Sequence, residues 1–188
     1  KRNLRGEIII KLNTGDRFWC QYAYQMAHEF CHVLCRFKNG SRRNLWFEET
    51  LCEMASMFAL KSMAETWKTN PPYANWKSYS SAIEDYLSDI ESKNKLPAGV
   101  NIEDYYKKNA KILADDAVNR IINGKVAAAL LVAFETNPEH WASIHYINEG
   151  KAKEDIPFEE YLKNWLDESP KKHHIFIHSI ARRLGISL

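Results

Sequence analysis

Residues 16–36 read DRFWCQYAYQMAHEFCHVLCR, and their aromatic and aliphatic side chains recur every three or four positions. That spacing is typical of an amphipathic α-helix. Asp16 offers an N-cap, and Asn39-Gly40 beyond the far end is a typical helix stop. We therefore predict a long helix from about Asp16 to Arg36.

The flanking sequence predicts one strand before this helix and several helices after it. Residues 7–12 read EIIIKL, a short β-branched run that indicates a strand. A second helix is predicted from Trp46 to Trp67, because its apolar residues have helical spacing and Pro71-Pro72 prevents continuation. Further helices are predicted over 75–92, 101–122, 125–136, 138–147, 157–167 and 170–184, with Gly124 interrupting or ending one of them. The predicted fold class is mainly α with a small N-terminal strand element.

Length and charge exclude several classes of protein. The 188 residues fit a single domain. Lys and Arg number 26 against 24 Asp and Glu, and the net charge of +2 is far from that of a nucleic-acid-binding domain. The longest apolar stretch, Val126 to Phe134, is too short to span a membrane. Because the chain begins at Lys1 with no apolar leader, we expect a processed product or part of a longer chain.

The first predicted helix carries an H-E-x-x-H sequence from His28 to His32. Four residues turn a helix by about 400°, so His28 and His32 point the same way and can bind one metal ion. Glu29 lies about 100° around the helix, where it can act as a base toward a water molecule. A catalytic zinc site needs a third protein ligand, and the second helix offers Glu48, Glu49 and Glu53.

With this motif the sequence resembles the gluzincin metallopeptidases, the group that includes thermolysin and the zinc aminopeptidases. The stretch 46–52, WFEETLC, is similar to the family phrase that carries the third zinc ligand. The resemblance implies that Glu49 is that ligand, with 16 residues between it and His32, and that Glu53 orients a ligating histidine. Thr50 stands where the family usually has Gly. The resemblance covers about Glu7 to Ala59.

The same resemblance implies a zincin-like catalytic domain that binds one Zn²⁺ per chain. Residues 1–70 would form the zinc-binding strand and helix pair, and residues 71–188 a helical subdomain. Gluzincins use a downstream Tyr or His to stabilise the oxyanion, and the candidates by residue type are Tyr105, Tyr106, His145 and Tyr146. Packing of each of these aromatic rings in the core is the alternative.

We therefore expect a zinc peptidase that hydrolyses peptide or protein substrates through a zinc-activated water, with Glu29 as general base. The zinc ligands would be His28, His32 and Glu49. The alternative is an inactive, zincin-like helical interaction module whose metal site is structural or vestigial. In that case partners would bind the aromatic-rich later helices.

The four cysteines are predicted to be buried free thiols. Cys20, Cys31 and Cys35 belong to one helix, and Cys20 and Cys31 would stand about 16 Å apart along its axis. A disulfide needs Cα atoms about 5.5 to 6 Å apart. At most one bridge, involving Cys52, is compatible with this arrangement.

Overall fold

The computed structural model describes residues 2–15, 18–36, 42–153 and 155–188. Its α-helices are α1 (Trp19–Leu34), α2 (Leu45–Trp67), α3 (Tyr79–Lys93), α4 (Ile102–Asp115), α5 (Arg120–Glu135), α6 (Phe158–Glu168) and α7 (His174–Arg183). Short 3₁₀ helices occupy Arg42–Asn44, Ala74–Trp76, Pro138–Tyr146, Gly150–Lys153 and Lys171–His173. The prediction of a mainly α fold is confirmed.

Helix α2 is the central element, because it packs against α1, α3 and α5. From Leu45 to Leu60 every residue of α2 is buried or half-buried, as expected for a helix surrounded by others, and exposed residues begin at Lys61. Its fully buried side chains include Phe47, Leu51, Met54 and Leu60. Helices α1 and α2 are neighbours, which the short loop between them predicted. One hydrophobic core cluster contains residues from α1 through α7, so residues on both sides of position 70 share it.

The predicted N-terminal strand is not seen in the part of the chain that the structure describes. One isolated antiparallel bridge joins Arg2 to Ile8, and residues 9–15 have no regular secondary structure. A β-branched run becomes a stable strand only when another strand pairs with it. Instead, the side chain of Gln25 on α1 accepts from the backbone N–H of Asn13 and donates to its carbonyl, both at 2.8 Å.

Other helix boundaries differ from the predicted ones for identifiable reasons. The predicted N-cap Asp16 and the predicted stop Asn39-Gly40 lie outside the described residues. Asn119 starts α5, because its side chain accepts a hydrogen bond from the backbone N–H of Ile122. Gly124 therefore lies inside α5 rather than at a break. A Cβ at Gly124 would stand 2.5 Å from the side-chain oxygen of Asn94, so a larger residue there would require the Asn94 side chain to move.

No helix among the described segments is both long enough and apolar enough to cross a membrane. The expectation of no membrane span is consistent with this finding.

Candidate metal centre

The two histidines of the H-E-x-x-H sequence face the same carboxylate on α2. Their rings lie 5.2 Å apart between centroids, one turn apart on α1. Nε2 of His28 is 3.3 Å from one carboxylate oxygen of Glu49, and Nε2 of His32 is 3.5 Å from the other. The packing of α1 on α2 thus brings together the three residues predicted as metal ligands.

A second carboxylate lies behind His32. Nδ1 of His32 is 2.6 Å from Oε1 of Glu48, a side chain that is only 6% exposed. Asn148 donates to the other oxygen of Glu48 at 2.5 Å and to the carbonyl of Cys35 at 3.0 Å. Tyr161 on α6 in turn donates to Asn148 at 3.3 Å. Hydrogen bonds of this kind fix which ring nitrogen of a histidine is free to bind a metal.

The predicted orienting residue, Glu53, lies beside the other histidine. One of its carboxylate oxygens is 3.8 Å from Nδ1 of His28, which is beyond hydrogen-bond distance. The hydroxyl of Tyr24 donates to the other oxygen. Glu48 therefore contacts its histidine more closely than Glu53 does. The sequence indicated Glu48 only as one of three possible third ligands, not as the residue that orients a histidine.

The charges of the centre are arranged to hold a cation between α1 and α2. Burial acts to lower the pKa of His32, but the hydrogen bond with Glu48 and the charges of Glu48 and Glu49 raise it to about 9. Burial acts to raise the pKa of Glu49, but the hydrogen bond with His28 and the charges of both histidines hold it below its usual value. A metal ion bound here would replace the proton on His32.

The donor set fits a metal ion that prefers nitrogen together with oxygen or sulfur ligands. The three side chains whose ligand atoms all lie within 4.8 Å of one another are His28, His32 and Cys52, so Cys52 competes with Glu49 for the place of third ligand. Cys52 is fully buried, and its burial and its contact with Cys31 raise the pKa of its thiol. The two oxygens of Glu49, by contrast, each face one of the histidines.

A cavity of about 530 Å³ opens beside the centre, a size typical of ligand-binding clefts. His28, Glu29, Glu49 and Glu53 all line it, whereas His32 and Cys52 do not. The remaining lining residues come from the segment before α1 and from α1, α3 and α5 with its preceding turn: Lys11, Asn13, Gln21, Tyr24, Gln25, Tyr86, Val118, Arg120 and Asn123. A metal ion held by Glu49 would thus face an open cavity, as a catalytic site requires.

The four residues considered for oxyanion stabilisation do not line this cavity. Tyr105 is buried, and Tyr106 stacks on Trp46 with ring centroids 5.6 Å apart. His145 receives a hydrogen bond from Arg36 at 3.0 Å, and Tyr146 packs against the His145 ring. The hydroxyl-bearing residues that do reach the cavity are Tyr24 and Tyr86. Helical spacing alone could have indicated Tyr24, because it lies one turn before His28 on the same helix.

All four cysteines are free and buried, as predicted. Cys31, Cys35 and Cys52 pack in the core between α1 and α2. Cys20 lies near α3, where its sulfur is 3.4 Å from the hydroxyl of Tyr79.

Because Glu48 holds His32 in place, replacing it should weaken the metal centre without removing a ligand. We expect Glu48→Gln to lower metal affinity by about 10- to 100-fold, the usual effect of losing such a partner. Competition with a fluorescent chelator measures this affinity. Asn109→Ala, on α4 outside the cavity, is the control and should leave the affinity unchanged. Equal affinities of Glu48→Gln and the unmodified protein would exclude the orienting role.

No family model, curated protein or solved structure matches this chain.

Proposed function

We propose that this protein is a zinc-dependent peptidase with a gluzincin-like centre. The observation that carries the proposal is the placement of Glu49, whose two oxygens face Nε2 of His28 and of His32 at 3.3 and 3.5 Å. Glu29 lines the same cavity and is therefore available as a base. An ordinary pair of packed helices without a metal site would not need a carboxylate placed between the two histidines.

His28, His32 and Glu49 would hold the zinc ion, and Glu48 would fix the ring of His32. Bound there, zinc supplies a Lewis acid that polarises a carbonyl and acidifies water toward a pKa of about 7. Glu29 takes a proton from the attacking water and delivers it to the nitrogen of the leaving amine. Tyr86 lines the cavity and is the candidate hydroxyl donor for a developing oxyanion, whereas the hydroxyl of Tyr24 already donates to Glu53.

The segment before α1 offers a backbone edge to which a peptide could bind. Ile10, Lys11 and Leu12 make no backbone hydrogen bond to another described residue, and Lys11 and Asn13 line the cavity. An extended peptide can add to such an edge by backbone pairing. This arrangement supports a peptide or protein substrate.

An interaction module is the second candidate, and a different observation favours it. Helix α1 exposes large apolar side chains along one face: Trp19, Met26, Phe30 and Leu34, which are 58%, 43%, 47% and 38% exposed. Exposed apolar patches of this kind mark interaction sites. The later aromatic residues are mostly packed in the core, so they support this alternative less than α1 does.

The peptidase proposal is tested by measuring metal content and hydrolysis together. We expect protein purified without added metal to contain about one zinc ion per chain and to cleave an unstructured protein such as casein. Treatment with a chelator should abolish cleavage, and zinc should restore it. Stoichiometric zinc with no cleavage of casein or of a random peptide library would refute the peptidase and favour the interaction module.

A further inference from the structure

Two cationic side chains line the cavity beside the candidate metal centre. Lys11 comes from the segment before α1, and Arg120 is the first residue of α5. Both are exposed, and neither side chain makes an ion pair or hydrogen bond with any residue in the described ranges. These cations are therefore available to a molecule that enters the cavity.

A metal ion would offset part of the negative charge around these two cations. The cavity lining includes three carboxylates, those of Glu29, Glu49 and Glu53, against the two cations. With the buried Glu48 behind His32 counted as well, a divalent ion at the histidines would bring the net charge of the site to zero. A ligand carboxylate would then be attracted by the local charges of Lys11 and Arg120, and not by an excess charge of the whole cavity.

Asn123 adds a buried hydrogen-bond acceptor without a partner to the side of the cavity that α5 forms. Asn123, one turn after Arg120 on α5, is 2% exposed and donates to the carbonyl of Ala117 at 2.7 Å. Its Oδ1 is buried and has no partner among the described residues. A buried acceptor without a partner is costly, so a donor group on a ligand at this wall would be stabilising.

We propose that Arg120, assisted by Lys11, binds a carboxylate of the peptide substrate. The proposal rests on the proposed peptidase function and names its substrate class. The carboxylate is the C-terminal one or an acidic side chain near the bond that is cleaved. A guanidinium binds a carboxylate through two parallel hydrogen bonds, which provides orientation as well as affinity.

Three matched peptides distinguish these sources. One has a free C-terminal carboxylate, the second has a C-terminal amide, and the third has the amide with a glutamate beside the scissile bond. We expect the amide without glutamate to have a kcat/KM about 10- to 100-fold below at least one of the other two, as loss of a charge-assisted hydrogen bond implies. Arg120→Gln should remove the preference, whereas Arg182→Gln on the exposed side of α7 should keep it.

A binding measurement keeps the inference separate from the peptidase proposal. Calorimetry with the zinc-loaded Glu29→Gln protein measures peptide affinity without turnover. Tighter binding of a carboxylate peptide than of its amide, lost in the additional Arg120→Gln variant, would support carboxylate recognition even if no peptide were cleaved. Equal affinities and equal kcat/KM values for all three peptides would overturn carboxylate recognition by Arg120. If the peptides were nevertheless cleaved, the peptidase proposal would stand.

Discussion

Glu29→Gln should lower peptide hydrolysis by about 10² to 10⁴ while zinc stays bound. The substitution keeps the size and hydrogen-bonding capacity of the side chain but removes the base, whose usual contribution is of this magnitude. Glu29 lines the cavity beside His28 and Glu49, yet none of the three predicted ligands is altered. Initial rates on a fluorogenic peptide, with zinc measured on the same sample, check this result.

Glu160→Gln on α6 is the matched control for this change, since Glu160 is exposed and outside the cavity. The control should retain full activity. Undiminished turnover in Glu29→Gln would exclude Glu29 as the base. A parallel loss of zinc would show that the residue acts on the metal centre instead.

Glu49→Ala should lower zinc affinity by more than about 100-fold, a larger effect than the loss of an orienting partner such as Glu48. The substitution removes the carboxylate that faces both histidines and leaves two protein ligands, fewer than the three that a catalytic zinc site uses. Zinc content after dialysis against a weak chelator measures the effect. His28→Ala should lose zinc to a similar extent.

Cys52→Ala and Glu53→Ala test the other possible third ligands. Cys52 belongs to the sulfur and nitrogen cluster around the histidines, and Glu53 lies near His28. We expect both variants to keep most of their zinc. If Glu49→Ala kept zinc and Cys52→Ala lost it, the ion would be bound on the core side of the helix pair, away from the cavity. If only Glu53→Ala lost zinc, the third ligand would be Glu53, one helical turn after Glu49.

The sequence was sufficient to predict those features that depend on local spacing. The period of α1 and α2, and the placement of His28 and His32 one turn apart, follow from 3.6 residues per turn. The predicted strand at residues 7–12 was wrong because pairing depends on a distant segment. The 3₁₀ conformation of Pro138–Tyr146 was also missed, since its proline and Asn137 cap suit the start of either helix type.

The contacts that complete the candidate centre could not be predicted, because they depend on how separate helices pack. Which of Glu48 and Glu49 faces the imidazole Nε2 atoms is set by the rotation of α2 against α1. Asn148 reaches Glu48 across 100 positions of sequence. Similarly, Arg120 lines the cavity because α5 packs against α2. The spacing of residues within either helix does not determine that packing.

The buried chain of hydrogen bonds from Tyr161 to Asn148 and from Asn148 to Glu48 limits how the centre could be transplanted. An excised helix pair ending near residue 70 would contain every predicted metal ligand but neither Asn148 nor Tyr161. The carboxylate of Glu48 would lose the hydrogen bond that Asn148 donates to it, and a buried carboxylate is costly to leave without such a donor. A minimal metallopeptide based on this protein would therefore need a new donor in place of Asn148, supplied by the host scaffold.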